Sequence, residues 1–327
     1  IELSWMRGFP ILADGANPAR YHGKESPHVI VHYDRMVRDD ATWAELAPEA
    51  VILRGEPPTS KLLRQRLAEL DVRGYQIGEG KPGINPIHGR IEWAGASVAS
   101  FVERCRGRKG HYGEMWSHRD RSIESSLKAA LQEPHPLFEG DVHRLLGDVL
   151  PSGSAVFYAS SMAIRDAEWF MPRRCEALIP FSQRGANGID GTVSLARGIA
   201  GGLGRPVWVV AGDIAFLHDA NGLLGAASDD PGIFVVLLNN SGGGIFEFLP
   251  VASRSPEFER FFATPQSVDF KQFVQAYGGL HISCPDLQAL KSAIGQWDGK
   301  GLTVAEVPID RKASVELHRK FLKGIFE

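Results

Sequence analysis

The apolar residues of this chain fall into two kinds of stretch. Short, unbroken, β-branched runs alternate with segments in which apolar positions recur every three or four residues. Val207-Trp-Val-Val-Ala211 and Ile233-Phe-Val-Val-Leu-Leu238 are of the first kind, and they predict strands buried on both faces, as in a parallel sheet. Ala155–Tyr158 and Thr303–Val307 predict two more strands of that sheet, the second being its last. In the first half, Phe9–Ala13, His28–Tyr33, Ala50–Leu53 and Val72–Ile77 predict shorter strands. Ser60–Leu70 carries Leu62, Leu63, Leu67 and Leu70 at helical spacing. Val142, Leu145, Leu146 and Val149 trace another helical face. Thr192–Ala200 and Leu217–Ala227 read as helices, and Ile1–Arg7 as the end of one. Strands alternating with helices imply parallel pairing through crossovers, so the expected fold is α/β, with two open, mostly parallel-sheet, three-layer domains. Pro82 and Pro86 mark a loop, and Pro134 and Pro136 interrupt the pattern near residue 135. The expected domains are therefore 1–135 and 136–327.

Composition narrows the class. With 327 residues, 43% of them hydrophobic, the chain can bury a core large enough for two domains. A net charge of −3 argues against a nucleic-acid binder, and the basic cluster Arg104–Lys109 lacks the interleaved aromatics of a nucleic-acid surface. No apolar run reaches membrane-spanning length. Cys105, Cys175 and Cys284 match neither a metal spacing nor a disulfide framework, so a cytoplasmic location is expected.

The chemistry concentrates where the two most apolar strands end. Asp213 follows Gly212 at the end of one, and Asn239-Asn240 and the run Gly242–Gly244 close the other. Asp213 and Asn240 lie 27 residues apart, and a helical crossover would make their strands neighbours. A carboxylate, a carboxamide and nearby glycine carbonyls suit a hard cation such as Mg²⁺, which keeps waters and bridges to a phosphate. The backbone amides of Ile214 and Ala215, opening the next helix, would then face the anion. Gly202-Leu-Gly204 does not offer a dinucleotide site, because it is followed by a strand rather than opening a helix. His218, near Asp213, has no partner legible in the sequence and reads as structural.

Gly212-Asp213 with Asn239-Asn240 resembles the metal-diphosphate motif of thiamine diphosphate enzymes. GDIAFLHDANGLL, NNSGGGIFEFLP and RGANGIDGTVS together are similar to the 2-succinyl-5-enolpyruvyl-6-hydroxy-3-cyclohexene-1-carboxylate (SEPHCHC) synthases of menaquinone and phylloquinone biosynthesis. The resemblance implies that residues 1–135 are a middle, transhydrogenase-like domain clipped at its N-terminus, and 136–327 the diphosphate-binding domain. It implies Asp213, Asn240 and the Gly242 carbonyl as ligands of Mg²⁺ or Mn²⁺, and Ile189 as the prop beneath a bent thiamine. It also implies substrate contacts from Ser161, Arg165, Arg184 and Lys61, with Ile245, Phe246 and Leu249 lining the pocket. Some relatives have Arg after the lysine, where this chain has Leu62.

The reaction so implied is decarboxylation of 2-oxoglutarate and addition of the succinyl carbanion to isochorismate, a transferase activity of a homodimer or homotetramer. The activating glutamate would come from a separate pyrimidine-binding domain, so this chain alone is expected to be inactive, with no catalytic acid or base of its own. Glu247 is the internal carboxylate that could substitute. Two other readings share part of the pattern. A different thiamine-dependent 2-oxo-acid decarboxylase or acetolactate-synthase-like enzyme would keep Asp213 and Asn240, and a non-enzymatic remnant would keep only the fold.

Overall fold

The structure, a computed structural model, describes residues 8–22, 27–55, 58–78, 85, 87, 90–104, 110–174, 177–184 and 188–323. Several expectations lie outside the described residues: the helix end at Ile1–Arg7, the Pro82 and Pro86 loop, most of the basic cluster, Cys105 and Cys175, and Gly185-Ala-Asn187.

The first half is built from β1 (Ile11–Leu12), β2 (Val29–Ile30), β3 (Ala50–Arg54), α1 (Lys61–Glu69), β4 (Arg73–Ile77), β5 (Arg90–Trp93) and α2 (Tyr112–Ala130). β1 pairs with β2, and β3-β4-β5 form a separate sheet, all parallel. α1 starts where predicted, because the Ser60 hydroxyl accepts the Leu63 amide at 3.1 Å, and Leu63 and Leu67 are its buried face. They pack with Ile30, Tyr33, Trp43 and Trp116 in one core, and Leu62 rests against it. The predicted strand His28–Tyr33 is shorter, being β2 alone, and Tyr33 instead opens a helical turn to Met36.

The second half runs α3 (Glu139–Val149), β6 (Ser154–Tyr158), α4 (Met162–Phe170), β7 (Leu178–Ser182), α5 (Thr192–Leu203), β8 (Val207–Gly212), α6 (Asp213–His218), β9 (Ile233–Asn239), α7 (Phe270–Ala276), β10 (Leu280–Ser283), α8 (Leu287–Gln296), β11 (Leu302–Pro308) and α9 (Arg311–Lys323). Six parallel strands order themselves β10-β11-β9-β8-β6-β7. Their apolar side chains, with those of the flanking helices, form the largest core. β11 is the last strand in sequence but not at the sheet edge, where the short β10 lies outside it. β7 and β10 escaped the sequence reading for the same reason. Edge strands need be apolar on only part of their surface, and β7 tolerates Pro180 because its outer side has no strand to pair with among the described residues.

The predicted helix Leu217–Ala227 is corrected. α6 begins earlier, at Asp213, and ends at His218, and short 3₁₀ turns follow at Ala220–Leu223 and Ala226–Ser228. The Asp219 carboxylate turns back to accept the Ser194 amide of α5 at 2.7 Å, and Gly225 takes φ +77°, so no continuous helix forms. Among the described residues, no helix is long and apolar enough to cross a membrane.

Candidate functional site

Strand order converts four distant loops into one row. β8 lies between β9 and β6, and β6 between β8 and β7. Beyond their carboxyl ends stand, in order, Asn240 and Gly242 after β9, Asp213 after β8, Ser161 and Arg165 after β6, and Arg184 and Ile189 after β7. The chain leaves β6 toward one edge and, after β7, returns to the other side with β8. That reversal opens a crevice where α/β sheets bind ligands.

At one end of the row, the Asp213 carboxylate is 2% exposed. One oxygen accepts the Ile214 amide at 2.9 Å and the other the Gly242 amide at 2.8 Å. Burial pushes this carboxyl up to about 6, against the lowering effect of those two amides. The Asn240 amide nitrogen donates to Glu139 at 3.2 Å, which leaves Asn240 Oδ1 buried with no partner among the described residues. A buried carboxylate short of positive charge and a buried amide oxygen short of a donor are the two faults that an oxygen-seeking cation corrects. Among the described residues, no three His, Cys, Asp or Glu side chains gather into a transition-metal cluster. The oxygen set of one acid, one amide and main chain fits Mg²⁺ or Mn²⁺ bound together with a phosphate group.

Gly242 must be glycine. Its φ is +138°, and a Cβ there would lie 2.3 Å from the Ala263 carbonyl oxygen. Its own carbonyl accepts the Gly244 amide at 2.9 Å, leaving a second lone pair for a ligand. The Ile214 N–H donates to Asp213 Oδ1 at 2.9 Å. Ala215, in the first turn of α6, retains an amide without an intrahelical acceptor.

At the other end the row is basic. Arg165 donates to the Ser161 carbonyl at 2.6 Å, and Arg184 Nε is buried without a hydrogen-bond partner among the described residues. Neither guanidinium forms an ion pair among the described residues, unlike Arg144, Arg197 and Arg311. Burial, then the charges of Arg184 and Arg64, lower the pKa of Arg165, against the raising effect of Asp166. Ser161 is the N-cap residue of α4, at φ +75°, and its side chain makes no capping bond. Lys61 is exposed at the start of α1, and Leu62 is used for packing. Arg64, absent from the sequence reading, supplies a cation one helical turn on from Lys61.

Ile245, Phe246 and Leu249 lie on or beside the 3₁₀ turn Gly244–Phe248, none of whose residues is buried. Phe246 and Leu249 are exposed, so they are not core. Ile189 is half-buried, and its carbonyl accepts the Thr192 hydroxyl at 2.7 Å. His218 is exposed at the end of α6. Glu247 is bound to Arg311 Nε at 2.8 Å, and this ion pair removes it as a free base. Arg311 also donates to the Ser241 carbonyl at 2.8 Å, so α9 clamps the loop that carries Asn240 and Gly242.

Residues 180–307 match the family described as thiamine pyrophosphate enzyme, C-terminal TPP binding domain. Along nearly the whole chain, the SEPHCHC synthase of Bacillus velezensis is 36% identical, covering 99% of this chain and 57% of that protein. The SEPHCHC synthase of Rippkaea orientalis is 33% identical, covering 99% and 56%. The chain thus spans just over half the length of these relatives. A benzoylformate decarboxylase structure from Polynucleobacter necessarius superposes with a TM-score of 0.62, covering 94% of this chain and 58% of that one. At 15% identity this likeness concerns the fold.

Proposed function

Because this chain belongs to the thiamine pyrophosphate enzymes and is homologous along nearly its whole length to their SEPHCHC synthases, we propose that it supplies the metal-diphosphate half of an active site. That site would decarboxylate 2-oxoglutarate and add the succinyl unit to isochorismate. The observation that carries this reading is the row at the strand ends. A cation-seeking oxygen pair, Asp213 and Asn240, stands at one end, and unpaired guanidiniums, Arg165 and Arg184, at the other.

In this reading Asp213, Asn240 Oδ1 and the Gly242 carbonyl hold Mg²⁺ or Mn²⁺ against the diphosphate. Thiamine diphosphate, when bound, supplies the electron sink for breaking the bond to carbon dioxide. Arg165 and Arg184, aided by Ser161, Lys61 and Arg64, bind substrate carboxylates, for which a planar guanidinium offers two parallel donors. Asp166 and Asp14 offset part of the mutual repulsion of these cations, and an entering anion relieves it further, which favours substrates with several carboxylates over pyruvate. Ile245, Phe246 and Leu249 form an apolar wall that excludes water, and Ile189 offers the cofactor an apolar support.

The two regions, 1–135 and 136–327, act in this proposal as middle and diphosphate-binding domains. The activating glutamate is assigned to a pyrimidine-binding domain, which in the resemblance is not among these 327 residues. We place the working enzyme in the cytoplasm as a homodimer or homotetramer. The test supplies the chain with Mg²⁺, thiamine diphosphate, 2-oxoglutarate and isochorismate, with and without a pyrimidine-binding domain in trans. Turnover that requires the added domain supports the proposal. A preference for pyruvate over 2-oxoglutarate would assign the chain to another decarboxylase, and turnover without the added domain would refute the division of labour.

A further inference from the structure

Glu139 opens α3, where an acidic side chain ordinarily points to water and complements the helix dipole. Here it is 3% exposed and points inward, to within 3.2 Å of Asn240 Nδ2, across 101 residues of sequence. Its second oxygen accepts the Ser314 hydroxyl of α9. The next residue in the line, His318, donates Nδ1–H to the Ser314 carbonyl at 2.8 Å and directs Nε2 at Asp166 Oδ1, also 2.8 Å away. Phe138, Phe170 and Phe248 enclose the His318 ring edge-on at 5.3–5.5 Å. All five polar residues, from Asn240 to Asp166, are buried. Burying two carboxylates and an imidazole away from water is costly unless they are held by partners, and here both Glu139 oxygens, both His318 ring nitrogens and Asp166 Oδ1 have one, while Asp166 Oδ2 has none among the described residues.

A carboxamide can be turned end for end at little steric cost, and only its hydrogen-bond partners decide which end faces where. The Glu139 oxygen accepts and so selects the NH₂ end of Asn240. The remaining oxygen must then point the opposite way, and it is this atom that stands buried and without a partner. We propose that Glu139 is a positioning residue for Asn240, aiming Oδ1 at the metal and anchored for that task by Ser314, His318 and Asp166. This inference rests on the reading of Asp213 and Asn240 as metal ligands.

The test measures Mn²⁺ binding to the full chain in the presence of inorganic pyrophosphate, from the free Mn²⁺ signal in electron paramagnetic resonance. Glu139→Ala is expected to weaken binding about 10–100-fold, the usual effect of removing a group that orients a metal ligand. Glu139→Gln keeps an accepting oxygen for Asn240 and is expected to stay within about threefold of the parent. A purely structural role predicts no such rescue. Equal losses in the two variants, or no loss in either while both fold, would overturn the proposal. If Glu139→Ala does not fold, Ser314→Ala replaces it, with a loss of about 3–10-fold expected and none overturning the idea. Asp213→Asn separates the two levels of inference. If it abolishes Mn²⁺ binding while Glu139→Ala does not weaken it, only the role of Glu139 falls. If Asp213→Asn leaves binding intact, the metal site itself is wrong and both fall.

Discussion

Replacing Asp213 by Asn should leave the metal-free fold nearly as stable as before and abolish its response to Mg²⁺. The carboxyl is buried and pushed up to about 6 from 3.8. Its ionised form at pH 8 therefore costs about 3 kcal/mol relative to the unfolded chain, at 1.36 kcal/mol per pKa unit. Asparagine removes that cost but points an NH₂ at one of two backbone N–H groups, from Ile214 or Gly242, and so leaves a buried donor unmatched. That mismatch costs about 1–3 kcal/mol, so the two changes nearly cancel. The metal response does not cancel. At 100 times the dissociation constant, Mg²⁺ with pyrophosphate stabilises the parent by about 2.7 kcal/mol, a rise in melting temperature of roughly 5–10 °C. Thermal denaturation followed by circular dichroism, with and without Mg²⁺ and pyrophosphate, checks both parts. The sign with pH follows from the raised folded pKa. Between about 3.8 and about 6 the unfolded chain has lost the proton that the folded chain still holds, so metal-free stability falls as pH rises through this window. Below about 6, Mg²⁺ must also displace that proton, and its affinity should drop about tenfold per pH unit. A Mg²⁺-dependent shift that survives in Asp213→Asn would show that the metal is held elsewhere.

Three further outcomes are expected. Gly242→Ala should destabilise by at least about 2 kcal/mol in urea titration, because its Cβ meets the Ala263 carbonyl at 2.3 Å and φ is +138°; unchanged stability would show that the loop is not held as described. Arg165→Ala, assayed in steady-state kinetics with the pyrimidine-binding domain supplied, should lose about 2–5 kcal/mol in kcat/KM for 2-oxoglutarate with cofactor affinity preserved, whereas a loss confined to cofactor affinity would make Arg165 a phosphate ligand. Glu168, buried beside Arg20, has its carboxyl raised to about 8 by burial and then by Asp14. It should thus reduce folding stability by about 1.4 kcal/mol per pH unit between about 4.5 and about 8, a slope that Glu168→Gln flattens in denaturation measured at pH 5 and pH 8.

Elements whose cause is local are legible in the residues that form them. β8 and β9 are legible because strands covered on both faces must be apolar without interruption, and their ends locate Asp213 and Asn240 directly. α1 is legible from its capping serine and leucine spacing, whereas the break within Leu217–Ala227 is not, because apolar spacing does not reveal that Asp219 is spent on Ser194. Tertiary structure alone decided the strand order that sets the loops after β9, β8, β6 and β7 side by side, since pairing energy depends on neighbours that no local run specifies. It also decided what each polar group meets. Glu139 reads in sequence as a routine first-turn acid, yet it faces Asn240 101 residues away. Glu247 reads as a free carboxylate, yet it is bound to Arg311. Hydrogen bonds and charges act over a few ångströms, and which groups come within that distance is settled only when the chain is folded.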